Sequence, residues 1–258
     1  MAGRSPAGVI LAAGKGTRMK SSLPKGLHQI CGLSVLQHIV RAFQDAGVDR
    51  PVVVVGHDAI RAHLGDGVDY AVQEEQLGTG HAALMAREAL ADHDGPVLVT
   101  PGDTPLMTAE SFRRLIDKQL ESGAAMVLAT NEFPDPTGYG RIIRDESSRP
   151  VDIIEEKDCT PEQRALKEAN PSMYCFDCKF LFEALPTLSD DNAQGEYYLT
   201  DMLKATVRHG RQAEAILFPD VDEFLGINDR WQLATAAAIM RERILKKHAL
   251  AGVGIVDP

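Results

Sequence analysis

The fold of this 258-residue chain is indicated first by the stretch Val9-Ile10-Leu11-Ala12-Ala13-Gly14-Lys15-Gly16-Thr17-Arg18-Met19. Its apolar start predicts a short buried strand, and Gly14 and Gly16 predict a sharp turn directly after that strand. Backbone N–H groups in such a turn come close to a ligand, and phosphate is the ligand that suits them best. Positive charge is supplied by four side chains in or just after the turn: Lys15, Arg18, Lys20 and Lys25. The stretch therefore predicts an anion-binding loop.

Charge is distributed unevenly along the chain. Residues 1–44 contain six Lys or Arg and no Asp or Glu, although the chain has 37 acidic residues and a formal net charge of −10. This positive N-terminal segment should attract a polyanion. The acidic remainder argues against a nucleic-acid partner, which requires a broad basic face. We therefore expect a small phosphorylated ligand.

The composition is that of an ordinary globular protein, with 44% hydrophobic and 25% charged residues. No apolar run approaches the ~20 residues that span a bilayer, and the N-terminus lacks the apolar core of a signal peptide. We therefore expect a cytoplasmic protein with no membrane partner. Cys175 and Cys178 have C-x-x-C spacing, but no second pair accompanies them. They are interpreted as structural thiols rather than as a zinc or redox site.

Strand and helix patterns alternate through the first half of the chain. The apolar period of Leu36, Ile39, Val40 and Phe43 predicts a helix that ends near Gly47, and the run Val52–Val55 predicts a parallel strand buried on both faces. The alternation continues through a predicted strand at 70–72, a helix over 79–90 and a strand at 97–99. A helix that carries Phe112, Leu115 and Ile116 and a strand at 126–129 follow. This order predicts an α/β, Rossmann-like fold with a mostly parallel central sheet flanked by helices. Ligands of such sheets bind at the carboxyl ends of the strands, the predicted position of Gly14, Gln73 and Gly102-Asp103.

The pattern changes in the second half of the chain. The segments 138–143 and 151–154 flank a polar turn and predict a hairpin, so a smaller, hairpin-rich subregion is expected over roughly residues 134–225. Thr160-Pro161 predicts a helix start, with proline at the first helical position. Asn228 is predicted to cap a last helix that ends at Ala251-Gly252. This helix is predicted to run through Trp231, Leu233, Ile239 and Ile244.

Two segments carry side chains suited to ligand recognition. In Gln73-x-x-Gln76-Leu77-Gly78-Thr79-Gly80-His81-Ala82, a Gln side chain offers one acceptor and two donors that match the edge of a base. The alternative is a capping loop with solvated glutamines. In Gly102-Asp103, a carboxylate in a tight turn after a buried strand is placed to bind a divalent cation beside phosphates. The alternative is an aspartate that only caps its turn.

The glycine loop does not fit the two commonest motifs of its kind. Met19 stands where a dinucleotide fingerprint has its third glycine, and the chain contains no Walker-type string. Leu11-Ala-Ala-Gly-x-Gly-Thr-Arg-Met19, followed by Pro24-Lys25, instead resembles the signature of sugar-phosphate nucleotidyltransferases. More motifs of the same kind follow in order: Gln76-Leu-Gly-Thr-Gly-His-Ala82, Gly102-Asp-x-Pro-Leu106, Pro136-Thr-Gly-Tyr-Gly-Arg-Ile142, Glu155-x-Lys-Asp158 and Asn192-Ala-Gln-Gly-Glu-Tyr-Tyr-Leu-Thr-Asp201.

Together these motifs resemble the uridyltransferase domain of the bifunctional N-acetylglucosamine-1-phosphate uridyltransferase and glucosamine-1-phosphate acetyltransferase family, over nearly the whole chain. The resemblance implies the nucleotide-diphospho-sugar transferase form of the Rossmann-like fold. It also implies Mg²⁺-dependent formation of UDP-N-acetylglucosamine and pyrophosphate from UTP and N-acetylglucosamine 1-phosphate, for bacterial cell-wall synthesis. The acetyltransferase half of that family is a β-helix of hexapeptide repeats, and this sequence contains no such repeats. The expected domains are therefore a nucleotidyltransferase domain over 1–228, with 134–225 facing the sugar, and a C-terminal helix and tail over 229–258.

The resemblance also implies roles for individual residues. The nucleotide would be bound by Leu11, Ala12, Ala13, Gly14, Gln73, Gly78, Thr79, Pro101 and Gly102. The catalytic groups would be Arg18, Lys25 and Asp103. The sugar phosphate would be bound by Gly140, Glu155, Asn170 and Asn228. A magnesium ion would be shared by Asp103 and Asn228.

Two positions depart from the family pattern. Asn170-Pro171-Ser172 stands where the family usually has Asn-Thr-Gly, and Pro101 stands where it usually has Tyr. These departures leave two alternatives open. One is a related nucleotidyltransferase that uses another nucleoside triphosphate or sugar phosphate, and the other is a nucleotide-sugar binding protein without turnover. The sequence gives no indication of the oligomeric state.

Overall fold

A computed structural model describes residues 5–257 of the chain. Its strands are β1 (Ala7–Ala12), β2 (Gln29–Ile30), β3 (Leu33–Ser34), β4 (Val52–Val55), β5 (Asp69–Val72), β6 (Pro96–Pro101), β7 (Met126–Glu132), β8 (Gly140–Arg144), β9 (Pro150–Ile154), β10 (Glu168–Asn170), β11 (Tyr174–Asp177) and β12 (Ala213–Leu217). Its α-helices are α1 (Val35–Asp45), α2 (Asp58–Leu64), α3 (Thr79–Met85), α4 (Ala109–Ser122), α5 (Pro161–Arg164), α6 (Cys178–Ala184), α7 (Asp201–Arg208) and α8 (Arg230–Leu250). Within the described part of the chain, no helix combines the length and apolar character needed to span a bilayer.

The N-terminal half forms the parallel part of a large sheet. Its strands lie in the order β5-β4-β1-β6, and the neighbouring pairs run parallel. All residues of β4 are buried, because helices cover both faces of the sheet. The predicted α/β fold class, with a mostly parallel central sheet flanked by helices, is confirmed.

Helix α1 shows how the local sequence fixes an element against the sheet. Ser34 caps its N-terminus by accepting from the backbone N–H of Gln37, and the Gln37 side chain accepts from the backbone N–H of Ser34. The Phe43 ring lies against β1, where a Cβ atom built on Gly8 would meet it at 2.3 Å. Gly8 is therefore needed for this helix to pack closely on the strand.

The sheet divides at the chain segment that joins β10 to β11. These two strands follow one another along β7, and both pair with it antiparallel. On the opposite side, however, β11 pairs with β6 and β10 pairs with β8. The change of partner occurs at Pro171–Met173, where Ser172 has a φ of +63°. An opening therefore lies between the carboxyl end of β6 and the start of the β8–β9 hairpin, and the predicted hairpin forms its outer wall.

Two details of the predicted elements are wrong. The helix expected over 79–90 ends at Met85, and tighter hydrogen bonds such as Ala86 N–H to Ala83 O carry the chain into turns. The last helix is capped by Asp229, whose carboxylate accepts from the N–H of Gln232 at 2.8 Å. Asn228 is not the cap, because its side chain points away from the helix toward Arg18 and Lys25.

Helix α8 otherwise runs as predicted but packs loosely. Ala236 is its only fully buried residue, and Trp231 is 80% exposed. Cys175 and Cys178, by contrast, are buried free thiols within the core. Burial raises the pKa of Cys178 to about 11, so this thiol stays protonated and unreactive at neutral pH.

Candidate active site

Two adjoining cavities open at the carboxyl ends of β1, β5 and β6. The larger, about 400 Å³, is lined by Leu11, Ala13, Gly14, Gln73, Gly78, Thr79 and Pro101 from the N-terminal half of the chain, and by Glu155, Ser172, Tyr174, Gln194, Tyr198 and Thr200 from the second half. The smaller, about 210 Å³, is bordered by Ala12, Lys15, Lys25, Gly56, His57 and Gly102. Leu11, Ala13, Gly14, Gln76 and Asp103 line both. Most of the predicted nucleotide-binding residues are thus brought together at one edge of the sheet.

The glycine loop is held against the neighbouring strand end by backbone contacts. Gly102 N–H donates to the Leu11 carbonyl at 2.8 Å, and a Cβ atom on Gly102 would lie 2.9 Å from that oxygen. The Gln76 amide donates to the Ala13 carbonyl at 2.6 Å. These contacts fix the loop before any ligand arrives, so its N–H groups need little rearrangement on binding.

A cluster of charged and polar groups lies where the two cavities meet. The Lys25 ammonium donates to Asp103 Oδ2 at 2.6 Å and to Asn228 Oδ1 at 3.2 Å. Arg18 also donates to Asn228 Oδ1, at 2.9 Å. The backbone brings the two chain segments together, since Ile227 N–H donates to the Asp103 carbonyl at 2.9 Å. Four of the predicted site residues, far apart in sequence, therefore form one contact network.

Gln73 is almost completely buried in the wall of the larger cavity. Its amide nitrogen donates to the Gly78 carbonyl at 3.1 Å and lies 2.9 Å from His81 Nδ1. Among the described residues its carbonyl oxygen has no hydrogen-bond partner. Only this acceptor is left to meet a ligand, whereas the sequence interpretation allowed the whole amide.

Gly78 and Thr79 contact a segment that the sequence did not connect with them. A Cβ atom on Gly78, which has a φ of +114°, would lie 2.6 Å from the Tyr197 carbonyl oxygen. Gly80 N–H donates to that oxygen at 2.7 Å, and the Thr79 hydroxyl accepts from Leu199 N–H at 2.9 Å. Gly78 is therefore required for the close approach of the Tyr197 backbone.

The segment 192–199 continues to the opposite wall. Ala193 N–H donates to the Asp158 carboxylate at 2.9 Å, and the Lys157 ammonium donates to Gln194. Gln194 in turn donates to the Tyr198 hydroxyl at 2.8 Å. The sequence assigned no site role to this segment, and the pattern Asn192–Asp201 was its only signal.

Glu155 lies deep in the larger cavity. It accepts a hydrogen bond from the Thr200 hydroxyl at 3.1 Å. Burial raises the pKa of Glu155 because the charged carboxylate is poorly solvated, and the Thr200 contact partly offsets this. Gly140 stands beside it, and a Cβ atom there would lie 2.8 Å from the Ile153 side chain and 3.7 Å from Glu155 Oε1. Glu155 therefore lines one corner of the cavity, whereas Gly140 lies behind it and does not line the cavity.

Asn170 lies behind the cavity wall and does not line it. Its amide donates to the Tyr174 hydroxyl at 2.7 Å, and its carbonyl oxygen accepts from Ser172 N–H at 3.1 Å. Ser172 and Tyr174 themselves line the cavity. Asn170 therefore shapes the wall through its neighbours, and the turn forms despite Pro171 because Ser172 adopts the left-handed conformation that favours glycine.

Arg141 is a buried residue of this region that the sequence analysis did not single out. Its guanidinium donates to the carbonyls of Tyr139, Arg164 and Leu166 and pairs with Glu156 at 2.7 Å. These contacts hold the segment that carries Glu155 against the start of β8. The motif Pro136–Ile142 contains this arginine and was the available signal.

The arrangement agrees with the comparison with known proteins. Residues 8–208 match the family model of the MobA-like NTP transferase domain. The chain belongs to this family. The MobA-like NTP transferase match includes both walls of the cavities, while Asn228 and α8 lie beyond it. The predicted nucleotidyltransferase family and its fold are confirmed.

Curated proteins with a high sequence identity to this chain were also found. The chain is 49% identical to the Bifunctional protein GlmU of Lactobacillus gasseri and 48% identical to those of a Geobacillus strain and of Streptococcus equi subsp. zooepidemicus, each over 252 residues. Each alignment covers 97% of this chain and 55% of the relative. This MobA-like NTP transferase chain thus spans about half the length of the curated relatives it matches.

Proposed function

We propose that this chain transfers the uridylyl group of UTP to N-acetylglucosamine 1-phosphate, forming UDP-N-acetylglucosamine and pyrophosphate for cell-wall synthesis in the cytoplasm. The observation that carries the proposal is the meeting of two cavities at Asp103, beside Lys25 and Asn228. The larger cavity has room and polar groups for a base and a sugar. The smaller one has lysines and a glycine loop for phosphates. The family match and the GlmU relatives support a nucleotidyl transfer at this position.

The chemistry requires charge stabilisation more than proton transfer. An oxygen of the sugar phosphate attacks the α-phosphorus of UTP, a new P–O bond forms, and the bond to the departing pyrophosphate breaks. The attacking oxygen is already ionised, so no general base is needed. Lys25 and Arg18, whose side chains meet beside Asp103 and Asn228, would stabilise the negative charge that develops on the transferred and departing oxygens.

The predicted magnesium site fits the residues present. Asp103 offers a carboxylate oxygen and Asn228 an amide oxygen, and both already accept from the same Lys25 ammonium. Oxygen ligands of this kind, completed by water and phosphate, suit Mg²⁺. When bound there, the ion would neutralise charge on the phosphate oxygens. Lys25 would then shift its hydrogen bonds to the phosphates.

Base selection follows from the single free acceptor of Gln73. Uracil presents an N–H donor at N3, whereas cytosine presents a lone pair at the same position. With UTP, the side-chain carbonyl oxygen of Gln73 would accept a hydrogen bond from the uracil N3–H. With CTP, the same oxygen would face the lone pair of cytosine N3 and make no hydrogen bond. An unmade hydrogen bond in a buried site costs about 1–3 kcal/mol, so CTP should react at least tenfold more slowly than UTP.

Acceptor selection is assigned to the Glu155 corner. The Glu155 carboxylate, which lines the larger cavity, would accept hydrogen bonds from sugar hydroxyl or amide groups. Asn170 acts here through Ser172 and Tyr174. The Pro171 departure changes the backbone of this wall, so another sugar phosphate is the alternative acceptor.

The test is pyrophosphate release measured with four nucleoside triphosphates and several sugar 1-phosphates. UTP with N-acetylglucosamine 1-phosphate should react fastest. Faster turnover of glucose 1-phosphate would show that the proposed acceptor is wrong, while nucleotidyl transfer to a sugar phosphate would still be supported. Equal rates with UTP and CTP would remove the role of Gln73. If the chain binds a nucleotide sugar but releases no pyrophosphate from any substrate pair, the proposed enzymatic activity would be contradicted. A nucleotide-sugar binding protein without turnover would then be favoured.

A further inference from the structure

His57 is a residue of the smaller cavity to which neither the motifs nor the proposed mechanism gives a role. Strand β4 pairs with β1 so that Val55 stands opposite Ala12. The chain beyond β4 therefore emerges beside the glycine loop. A Cβ atom on Gly56 would lie 2.8 Å from the Ala13 carbonyl oxygen, which shows how close the two segments are. His57 follows and lines the same cavity as Lys15 and Lys25.

The two ring nitrogens of His57 have different surroundings. Nδ1 accepts from the N–H of Ala59 at 3.1 Å and so caps the N-terminus of α2. In the neutral ring, an accepting Nδ1 places the proton on Nε2. The contact with Ala59 thus fixes the tautomer, and Nε2–H is the donor that the ring can offer to a ligand.

The rest of the cavity wall suits a polyphosphate. Its lining includes the lysines named above and the hydroxyl-bearing Ser21 and Ser22. Asp103 is the only acid among the lining residues, and its charge is paired with Lys25. A donor at the His57 position would add to an environment that already favours anions.

We propose that His57 donates from Nε2 to the terminal phosphates of the bound nucleoside triphosphate and to the departing pyrophosphate. The inference rests on the proposed function, because it assigns the smaller cavity to the leaving group of that reaction. His57 lies on the loop after β4, which is not part of the glycine-rich signature at residues 11–19. The sugar phosphate, bound in the larger cavity, should not contact this side chain.

The test compares His57→Asn with His63→Asn. Asparagine keeps an oxygen that can cap α2 but lacks the distal donor of the imidazole ring. His63 lies on the exposed surface of the same helix and does not line either cavity, so the second variant controls for helix effects. Calorimetric titration with pyrophosphate gives affinity without turnover. Steady-state kinetics in both directions gives KM for UTP, pyrophosphate and the sugar phosphate.

His57→Asn should bind pyrophosphate about tenfold more weakly, as expected for loss of a hydrogen bond to a charged group, and should raise KM for UTP and pyrophosphate but not for the sugar phosphate. His63→Asn should match the wild type. Unchanged pyrophosphate affinity in His57→Asn, or the same loss in His63→Asn, would overturn the inference. A wild-type chain that releases no pyrophosphate from any substrate pair would overturn the proposed function. The pyrophosphate titration would still decide the role of His57, so the two failures are distinguishable.

Discussion

Asp103 and Asn228 share a lysine in this structure, and we propose that they share a magnesium ion during the reaction. Asp103→Ala and Asn228→Ala should each remain folded and bind UTP without Mg²⁺ about as the wild type does. Turnover should fall about 100-fold or more at every Mg²⁺ concentration, because charge on the phosphates would be left uncompensated. Pyrophosphate release across a magnesium titration measures this. Near-normal rates in either variant would contradict the shared site.

Glu155 gives a prediction for pH. Its pKa is raised by burial, so the carboxylate takes up a proton, and loses an acceptor, at a higher pH than an exposed glutamate does. KM for the sugar phosphate should therefore rise as pH falls through this raised pKa. In Glu155→Gln, KM should be about tenfold higher at neutral pH and lack this change. The phosphate of the substrate titrates equally in both enzymes, so identical pH profiles would exclude the role of Glu155.

The same raised pKa has a consequence for stability. A carboxyl group whose pKa is higher in the folded state favours folding at low pH, and this contribution is lost as pH rises through the folded pKa. Above the folded pKa, the buried charge of Glu155 therefore opposes folding. Glu155→Gln should raise the Tm at pH 8 and have less effect at pH 4.

Single residues differed in how well the sequence could place them. Asp103 and the glycine loop follow buried strands, so the carboxyl-edge rule was sufficient for them. The engagement of the Gln73 amide and the burial of Asn170 depend on partners that are fixed only after the chain has folded. Arg141 was missed because a lone arginine in a sequence gives no sign of which carbonyls will surround it.

Two neighbouring residues at the start of α8 have different roles: Asp229 caps the helix, and Asn228 is a proposed site residue. Asp229→Ala should lower the free energy of unfolding by about 1 kcal/mol, because it removes the helix cap, and should leave turnover nearly unchanged. Asn228→Ala should show the opposite pattern. Urea unfolding and pyrophosphate release on both variants measure the contrast. A larger loss of stability in Asn228→Ala than in Asp229→Ala would be inconsistent with the observed cap.

Gly78 tests the contact between the strand-to-helix loop and the segment 192–199. Gly78→Ala places a methyl group against the Tyr197 backbone at a φ of +114°, which should lower the free energy of unfolding by about 1–3 kcal/mol. KM should rise for UTP and for the sugar phosphate, because the displaced segment borders both. Gly67→Ala is the matched control, since open space surrounds a Cβ atom there and its φ is not positive. Equal stability of the two variants would show that the contact is unimportant.

Elements with strong internal periodicity were predicted well, as α1, α4 and the valine strand β4 show. Their apolar pattern is local and survives any rearrangement of loops. The early end of α3 and the cap of α8 were not predicted, because both are decided within a turn by competing hydrogen bonds. The division of the sheet at Pro171–Met173 was also outside the reach of the sequence, since strand pairing is non-local.

The large sheet of the described chain includes strands from both walls of the site. Strand β7, which pairs with both β11 and β10, links the parallel strands to the hairpin, and the helices pack on this large sheet. We therefore expect a single cooperative unfolding transition, with the same Tm by circular dichroism and by calorimetry. UTP with Mg²⁺ at 100 times its Kd should stabilise the whole unit by about 2.7 kcal/mol. Two resolved transitions would show that the hairpin subregion unfolds separately.

The segment 192–199 has a consequence for how the two substrates influence one another. Its Tyr197 backbone bonds the Leu77–Gly80 loop, beside which we propose that the base binds, and its Ala193 N–H bonds Asp158, near the proposed sugar site at Glu155. A ligand that orders either loop therefore also restricts this segment, and the second ligand has less conformational entropy left to remove. The result is positive heterotropic linkage. By reciprocity, the factor by which UTP tightens the sugar phosphate equals the factor by which the sugar phosphate tightens UTP.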